Sequence, residues 1–343
     1  MTSRELVKKT LEFQNETGRV PRHKWVLKWA ENTYPEFYRY LQETFPDDIV
    51  GAPAAYIEQP PETGDPFEIG EYVDCWGCRF ENIHRGIIGE VKHPLIRDED
   101  WNDADDFRFP NELLTVDTQA VNAFCAGTDQ FVLSALSPRP FERLQFLRGT
   151  EDLYVDLMLK PPKMLTFMHR MHDFYCEMLT KWAQTDVDAI KFMDDWGAQR
   201  SLLISHSLWS EYFRPMYKDY IDIAKKYNKK IFMHSDGNIL EIIPDLIDMG
   251  LDALNCQVFC MGVEHLKPFA GHITFWGEVD RQHILPSGTT QEVEAAVSSL
   301  YDTFWKNGGA IAQCEFGPGA KPENIERVFS VWNQKNKERR NKA

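Results

Sequence analysis

The sequence predicts a single (β/α)8 TIM barrel with its chemistry gathered on one rim. Three observations point to this fold. First, at five successive points a short apolar run stops and reactive side chains begin. Met193 runs into Asp194-Asp195-Trp196-Gly197, Met233 into His234-Ser235-Asp236-Gly237, and Leu254 into Asn255-Cys256-Gln257; Trp276 runs into Gly277-Glu278-Val279-Asp280, and Gln313 into Cys314-Glu315. Second, helical stretches separate most of these runs, giving a β-α-β-α alternation. Third, each polar cluster falls at the carboxyl end of its strand, the rim on which barrel enzymes build active sites. The chain reads as an enzyme.

The elements follow in order. Residues 1–48 read as an N-terminal helical extension, with one helix over Arg4–Gln14 and a second over Lys24–Phe45, broken near Pro35. The apolar run Ile49–Ile57 is the candidate first barrel strand. Residues 58–110 are rich in Pro, Gly and Asp, with short strands suggested at Glu71–Asp74 and Arg85–Ile88; so long a non-helical insertion predicts a pocket wall or lid. Gln130–Leu136 has the composition of a strand. Helices are expected over 140–147, 150–158 and 162–185, and beyond Met193 over 207–227, 238–249, 289–306 and 322–338. Thr289 with Glu292 forms a capping-box pattern, and Pro322 suits the first turn of a helix. With no internal repeat and no shift of composition, one domain over 1–343 is the economical reading.

Composition narrows the function. Of 343 residues, 43% are hydrophobic and 27% charged, as in ordinary globular proteins. Thirty-eight Lys and Arg against 53 Asp and Glu leave a net charge of −15, which argues against nucleic acid and anionic membrane as partners. No apolar run is long enough to span a bilayer, and the first residues lack the apolar stretch of a secretory signal. Seven scattered cysteines suit free thiols in a reducing cytoplasm. Cytoplasmic location is therefore expected. The assembly considered is a homodimer.

Among the rim residues, His234 and Asp236 are two apart in a strand and project to the same side. Cys314 ends the last strand and can close the set. Imidazole, carboxylate and thiolate are all Zn²⁺ ligands, and three protein ligands leave one position for substrate. The same residues also suit structural roles: a cap, the N-cap of the helix at 238, and a small buried residue. Asp194 and Asp195 share one strand end, so one of them faces the axis and is a candidate acid, base or orienting carboxylate. Glu278 is a rim carboxylate or a turn residue. Trp196, Asn255 and Trp76 are candidate substrate contacts. Cys75-x-x-Cys78 lacks the second pair of a zinc site and the following helix of a redox site. His169 and His172 read as packing or surface residues of a helix.

The run Phe232-Met233-His234-Ser235-Asp236-Gly237-Asn238 resembles the uroporphyrinogen decarboxylase superfamily, as do the stretch Leu246–Asn255, Gly277–Asp280, Leu285–Thr289 and Pro322–Ile325. The resemblance is strong from about residue 120 to 335. It implies a TIM barrel that is either a tetrapyrrole decarboxylase or a corrinoid-dependent methyltransferase. The decarboxylases carry an arginine-rich N-terminal motif, whereas this chain has Arg19-Val20-Pro21-Arg22-His23-Lys24-Trp25. Where they have a Gly-His-Gly element, it reads Gln313-Cys314-Glu315-Phe316-Gly317. The methyltransferases hold zinc with His-x-Cys and a distant cysteine; by that match His234 and Cys314 carry over, while Asp236 replaces the middle cysteine. A carboxylate in that place makes a harder, more Lewis-acidic metal, better matched to oxygen than to a thiol. The resemblance thus implies a zinc methyltransferase acting on a small methylated substrate, a methyl ether of aromatic character, and passing the methyl group to Co(I) of a separate corrinoid protein. Asp194, Asp195 or Glu278 would shape or protonate the leaving group. The alternatives are a uroporphyrinogen decarboxylase-type enzyme and a non-catalytic binding module.

Overall fold

The structure, a computed structural model, describes residues 1–340, with side chains through Glu338. Its strands are β1 (Trp25–Val26), β2 (Ile49–Gly51), β3 (Gly70–Val73), β4 (Arg79–Asn82), β5 (Glu90–Val91), β6 (Phe131–Leu133), β7 (Ala189–Met193), β8 (Lys230–Ser235), β9 (Ala253–Cys256), β10 (Thr274–Trp276), β11 (Ala310–Ile311) and β12 (Glu315–Phe316). Seven of them form one curled sheet in the order β11-β10-β9-β8-β7-β6-β2, every pair parallel.

The remaining gap is spanned by the segment leading into β1. Arg22 bridges Ala312 in parallel, β1 pairs with β12, and the Asp48 N–H donates to the Arg22 carbonyl at 2.8 Å. The ring therefore closes with eight staves, β11 and β12 together forming the last. This moves the first strand. Trp25–Val26, inside the stretch expected to be helical, is the first stave, and Ile49–Gly51 is the second. The helices expected there begin only at Lys28 and Pro35. A two-residue strand is too short to show alternation, and the spacing of Val26, Trp29 and Ala30 (i, i+3, i+4) passes for part of a helical pattern.

Alternation along each strand sends one set of side chains into the barrel. Trp25, Ile49, Phe131, Leu133, Ala189, Phe232, Ala253, Trp276 and Ile311 pack there as one cluster. Val7 and Leu11 of the helix Ser3–Leu11 join them from below. That helix is held across the amino-terminal ends of the strands. Arg4 and Lys8 pair with Asp188 at 2.9 and 2.7 Å, and Ser3 donates to Asp48. Amphipathic helices cover the outside, chiefly Pro162–Ala183, His206–Lys226, Thr290–Phe304 and Pro322–Arg340. The Thr289–Glu292 capping box is formed. None of the helices among the described residues is long and apolar enough to cross a membrane.

Between β2 and β6 the chain makes a small antiparallel sheet, β3-β4-β5, beside the barrel's carboxyl-terminal face. Trp76, in the turn between β3 and β4, is buried against Phe107, Phe109, Phe174 and Tyr175. A buried ion pair, Asp74 with Arg143 at 2.5 Å, ties this sheet to the helix Pro140–Arg148.

Candidate metal centre

β7 and β8 lie in register, Met193 beside His234, so their tips deliver Asp195 and Asp236 side by side. The loops beyond are locked together. The Gly197 N–H donates to the Asp236 carbonyl at 3.0 Å, and the Asp236 N–H donates to Asp195 Oδ1 at 3.0 Å. Gly197 and Gly237 touch through their backbones, and a Cβ on either would penetrate the other. Only glycine allows so close an approach, and Gly237 also has a φ of +75°.

This juxtaposition makes a triad. His234 Nε2 lies 3.5 Å from Asp195 Oδ1 and 3.6 Å from Asp236 Oδ1. One nitrogen and two carboxylate oxygens all lie within 4.8 Å of one another. With metal–ligand bonds of about 2.1 Å, a tetrahedral zinc ion sets its ligands about 3.4 Å apart, and the two measured separations match. Asp236 Oδ1 is buried and has no hydrogen-bond partner, whereas Oδ2 of the same carboxylate is bound by Arg281. Arg281 also pairs with Glu315 at 2.9 Å. A buried acceptor left empty costs free energy unless something fills it; the donor set fits a divalent cation.

The histidine is oriented for that role. The Nδ1–H of His234 donates to Asn255 Oδ1 at 2.6 Å, and the Asn255 amide donates in turn to the Trp276 carbonyl. The Trp276 carbonyl fixes which way the amide points, so the Asn255 oxygen faces the ring and Nε2 is turned to the carboxylates. Trp25 leans on the imidazole at 5.0 Å between ring centres. Burial opposes charge on His234, but the Asp195 hydrogen bond and the charges of Asp236 and Asp195 prevail and raise its pKa to about 9. Burial likewise works against ionisation of Asp195, yet its contact with His234 holds its carboxyl below the usual range. Glu278 goes the other way. Burial, with Asp236 and Glu315 nearby and only partly offset by Arg281, pushes it up to about 8, and its Oε1 is buried without a partner. Glu278 is therefore a protonated acid at neutral pH.

Other expected site residues take different places. Cys314 is buried at the end of the last stave, but its sulfur is not in the triad; Asp195 stands there instead. Burial and the neighbouring Glu278 and Glu315 carboxylates push its thiol up, away from thiolate. Asp194 faces away from the axis, fully buried. It accepts from the Phe141 and Glu142 N–H groups and the Tyr217 hydroxyl and so anchors a helix start. Trp196 is also fully buried, stacked on Phe141 at 4.2 Å with its N–H on Tyr217, and belongs to the core rather than to a substrate surface. Asn255 serves His234 rather than a substrate. Cys75 and Cys78 are free thiols pushed up to about 12, chiefly by burial. His172 pairs with Asp219 at 2.9 Å on the outer helices.

A cavity of about 940 Å³ opens beyond the tips of β6 and β7; Met193, the register partner of His234, lines it, and the triad residues themselves do not. The small antiparallel sheet, the start of the helix Pro140–Arg148 and the tips of β6 and β7 line it. Its walls carry Trp76, Tyr72, Phe80, Phe146 and Tyr175, and Lys191 and Arg139 reach it from the barrel side. Lys191 and Arg281 were not singled out from the sequence. Lys191 left one trace there: with Ala189 and Met193 it shares the inner face of an otherwise apolar strand.

One solved structure in particular shares this architecture. A methyltransferase from Methanosarcina mazei superposes with a TM-score of 0.71 at 13% identity, over 97% of this chain and 99% of that one. Xylanase 10B from Thermotoga petrophila gives 0.44 at 10% identity over 98% of each chain. A 3-keto-D-glucoside 4-epimerase from E. coli gives 0.40 at 10%, over 66% of this chain and 86% of that one. No curated protein matches the sequence. The uroporphyrinogen decarboxylase family matches residues 75–334, the stretch that contains β6 to β12, the triad and Glu278. The chain belongs to the uroporphyrinogen decarboxylase family.

Proposed function

We propose that the protein is a zinc-dependent methyltransferase that takes a methyl group from a methyl ether, aromatic in character, and passes it to the Co(I) of a separate corrinoid protein. The observation that carries this reading is the triad, with its orphaned Asp236 oxygen and ligand separations suited to a tetrahedral ion. The Methanosarcina mazei protein of the same fold, itself a methyltransferase, adds support.

Bound zinc would supply a Lewis acid for the ether oxygen. His234, Asp195 and Asp236 would hold it through one nitrogen and two oxygens, a harder set than the one expected from sequence and one suited to an oxygen ligand. Asn255 keeps His234 in the tautomer that presents Nε2. Arg281 keeps Asp236 oriented. Glu278, protonated at neutral pH, can give its proton to the oxygen that loses its methyl group. The aromatic walls of the cavity suit a ring.

The basic residues that a tetrapyrrole decarboxylase would need are committed elsewhere. Arg19 pairs with Asp48 at 2.5 Å and Lys24 with Asp47 at 2.9 Å, while Arg22 binds the Pro46 carbonyl and Asn333. Arg19 and Arg22 precede β1, and Asp47 and Asp48 precede β2, so Arg19 and Arg22 lie toward the barrel end opposite the triad.

The test combines metal analysis with turnover. Purified wild type should hold one zinc per chain and His234→Ala none. The wild type should convert cob(I)alamin to methylcobalamin with a methoxybenzene as donor, followed by absorbance. Metal-free protein that decarboxylates uroporphyrinogen would overturn the reading.

A further inference from the structure

We propose that Lys191 is a specificity-determining residue: it anchors a carboxylate carried by the methyl donor, on the part of the ring away from the reacting ether. This rests on the methyl-ether reading above and narrows its substrate to an aromatic carboxylate.

Three observations carry the inference. Lys191 projects from the inner face of β7 into the cavity, with its Cα in register with Phe232, one inward position below the His234 layer. A group bound there lies below the level of His234, and Met193, which lines the same cavity one inward position higher, is the register partner of His234. Next, the other charges around it are matched, apart from the exposed Glu62 carboxylate. Arg143 is paired with Asp74 at 2.5 Å, Arg139 with Glu142 at 2.7 Å, and Glu90 at the outer edge with Lys92. Among the described residues, the Lys191 ammonium has neither a hydrogen bond nor an ion pair, and it is the one inner-face cation of the cavity left without a counter-charge. Finally, the cavity offers ring-sized apolar walls in Trp76, Tyr175 and Phe146, so a planar anion fits its lining better than a free inorganic one.

The electrostatics agree with the geometry. Burial and the positive charge of Arg139 both push Lys191 down, to about 8, and no carboxylate counters them. Burying an ammonium without a partner is costly. A site that keeps one in that state is set up for an incoming anion, which repays the desolvation on binding.

The experiment is calorimetric titration of the zinc-loaded full chain with para-methoxybenzoate and with its neutral isostere para-methoxybenzamide. Wild type should bind the carboxylate about tenfold to a hundredfold more tightly than the amide, the range of a charge-assisted hydrogen bond. Lys191→Met should lose that preference while keeping its affinity for the amide, and Lys191→Arg should retain most of it. Equal binding of the two ligands by wild type, or no binding of the carboxylate, overturns the proposal. So does a preference that persists in Lys191→Met, because the carboxylate would then be sitting on the metal. Lys191→Gln serves as a second neutral variant should Lys191→Met fold poorly. The readout needs no cobalt and no turnover. An intact carboxylate preference without methyl transfer therefore sinks the functional reading alone, and methyl transfer from neutral ethers without any preference sinks this proposal alone.

Discussion

Gly197 and Gly237 press backbone against backbone, and this contact sets the spacing of the two carboxylates in the triad. Each follows its aspartate closely, so a side chain on either glycine would push the β7 and β8 loops apart. We expect Gly237→Ala, which also forces an unfavourable positive φ, to destabilise the protein by more than about 1 kcal/mol. It should also weaken zinc binding. Denaturant unfolding with and without zinc checks this; a variant with unchanged midpoint and metal content would show that the loops are positioned by other contacts.

Asn255 touches no ligand position, yet it fixes the proton of His234 on Nδ1. Asn255→Leu keeps the bulk and removes the acceptor. Zinc affinity should fall about tenfold to a hundredfold, the usual effect of losing an outer-shell partner. Competition with a chromophoric chelator measures it, and an unchanged constant would mean that the imidazole is held by packing against Trp25 alone.

Zinc binding should strengthen with pH. In the metal-free protein His234 titrates at about 9 and is charged at neutral pH. Coordination requires the neutral imidazole, so each bound ion displaces a proton. Between about pH 7 and about pH 9 the affinity should rise about tenfold per unit and level off above. The same titration in His234→Gln should show a much weaker slope, and a flat profile in wild type would place the metal elsewhere.

Asp195 and Cys314 can be told apart by elemental analysis. Asp195→Asn should lose at least about tenfold in zinc affinity, and Cys314→Ser should purify with its full complement. The opposite pattern would restore the cysteine as ligand and reduce Asp195 to a neighbour.

The barrel was legible because its late strands end abruptly in polar clusters and its long helices carry clear caps; the helices 206–226 and 290–304 lie within a few residues of their expected places. The first stave was hidden because Trp25–Val26 is two residues long and runs directly into helix-forming sequence. At the site, the placement of His234 and Asp236 on one inward face followed from strand alternation. The choice between Asp194 and Asp195 did not, since adjacent residues differ by the turn of the chain after Met193, and only the Tyr217 hydroxyl and the helix start at Pro140 settle which one is drawn into the core. Cys314 was expected to reach the ion because all strand tips ring one rim. Arg281, which joins Asp236 to Glu315 beside Cys314, is put there by tertiary packing that has no local signal. Trp196 reads as a candidate substrate contact from sequence because a tryptophan beside an acid has no sequence mark that separates core from cavity.

The helix Ser3–Leu11 stoppers the barrel from beneath, with Val7 and Leu11 seated in its interior. Small molecules therefore cannot pass through the barrel from that end and have to approach from the carboxyl-terminal face. If a cobalt-bearing protein presents its reactive face there, it shuts the small molecule in. The donor would have to enter before docking and the demethylated product wait for undocking, a compulsory order that would make an unreactive corrinoid protein an uncompetitive inhibitor against the donor.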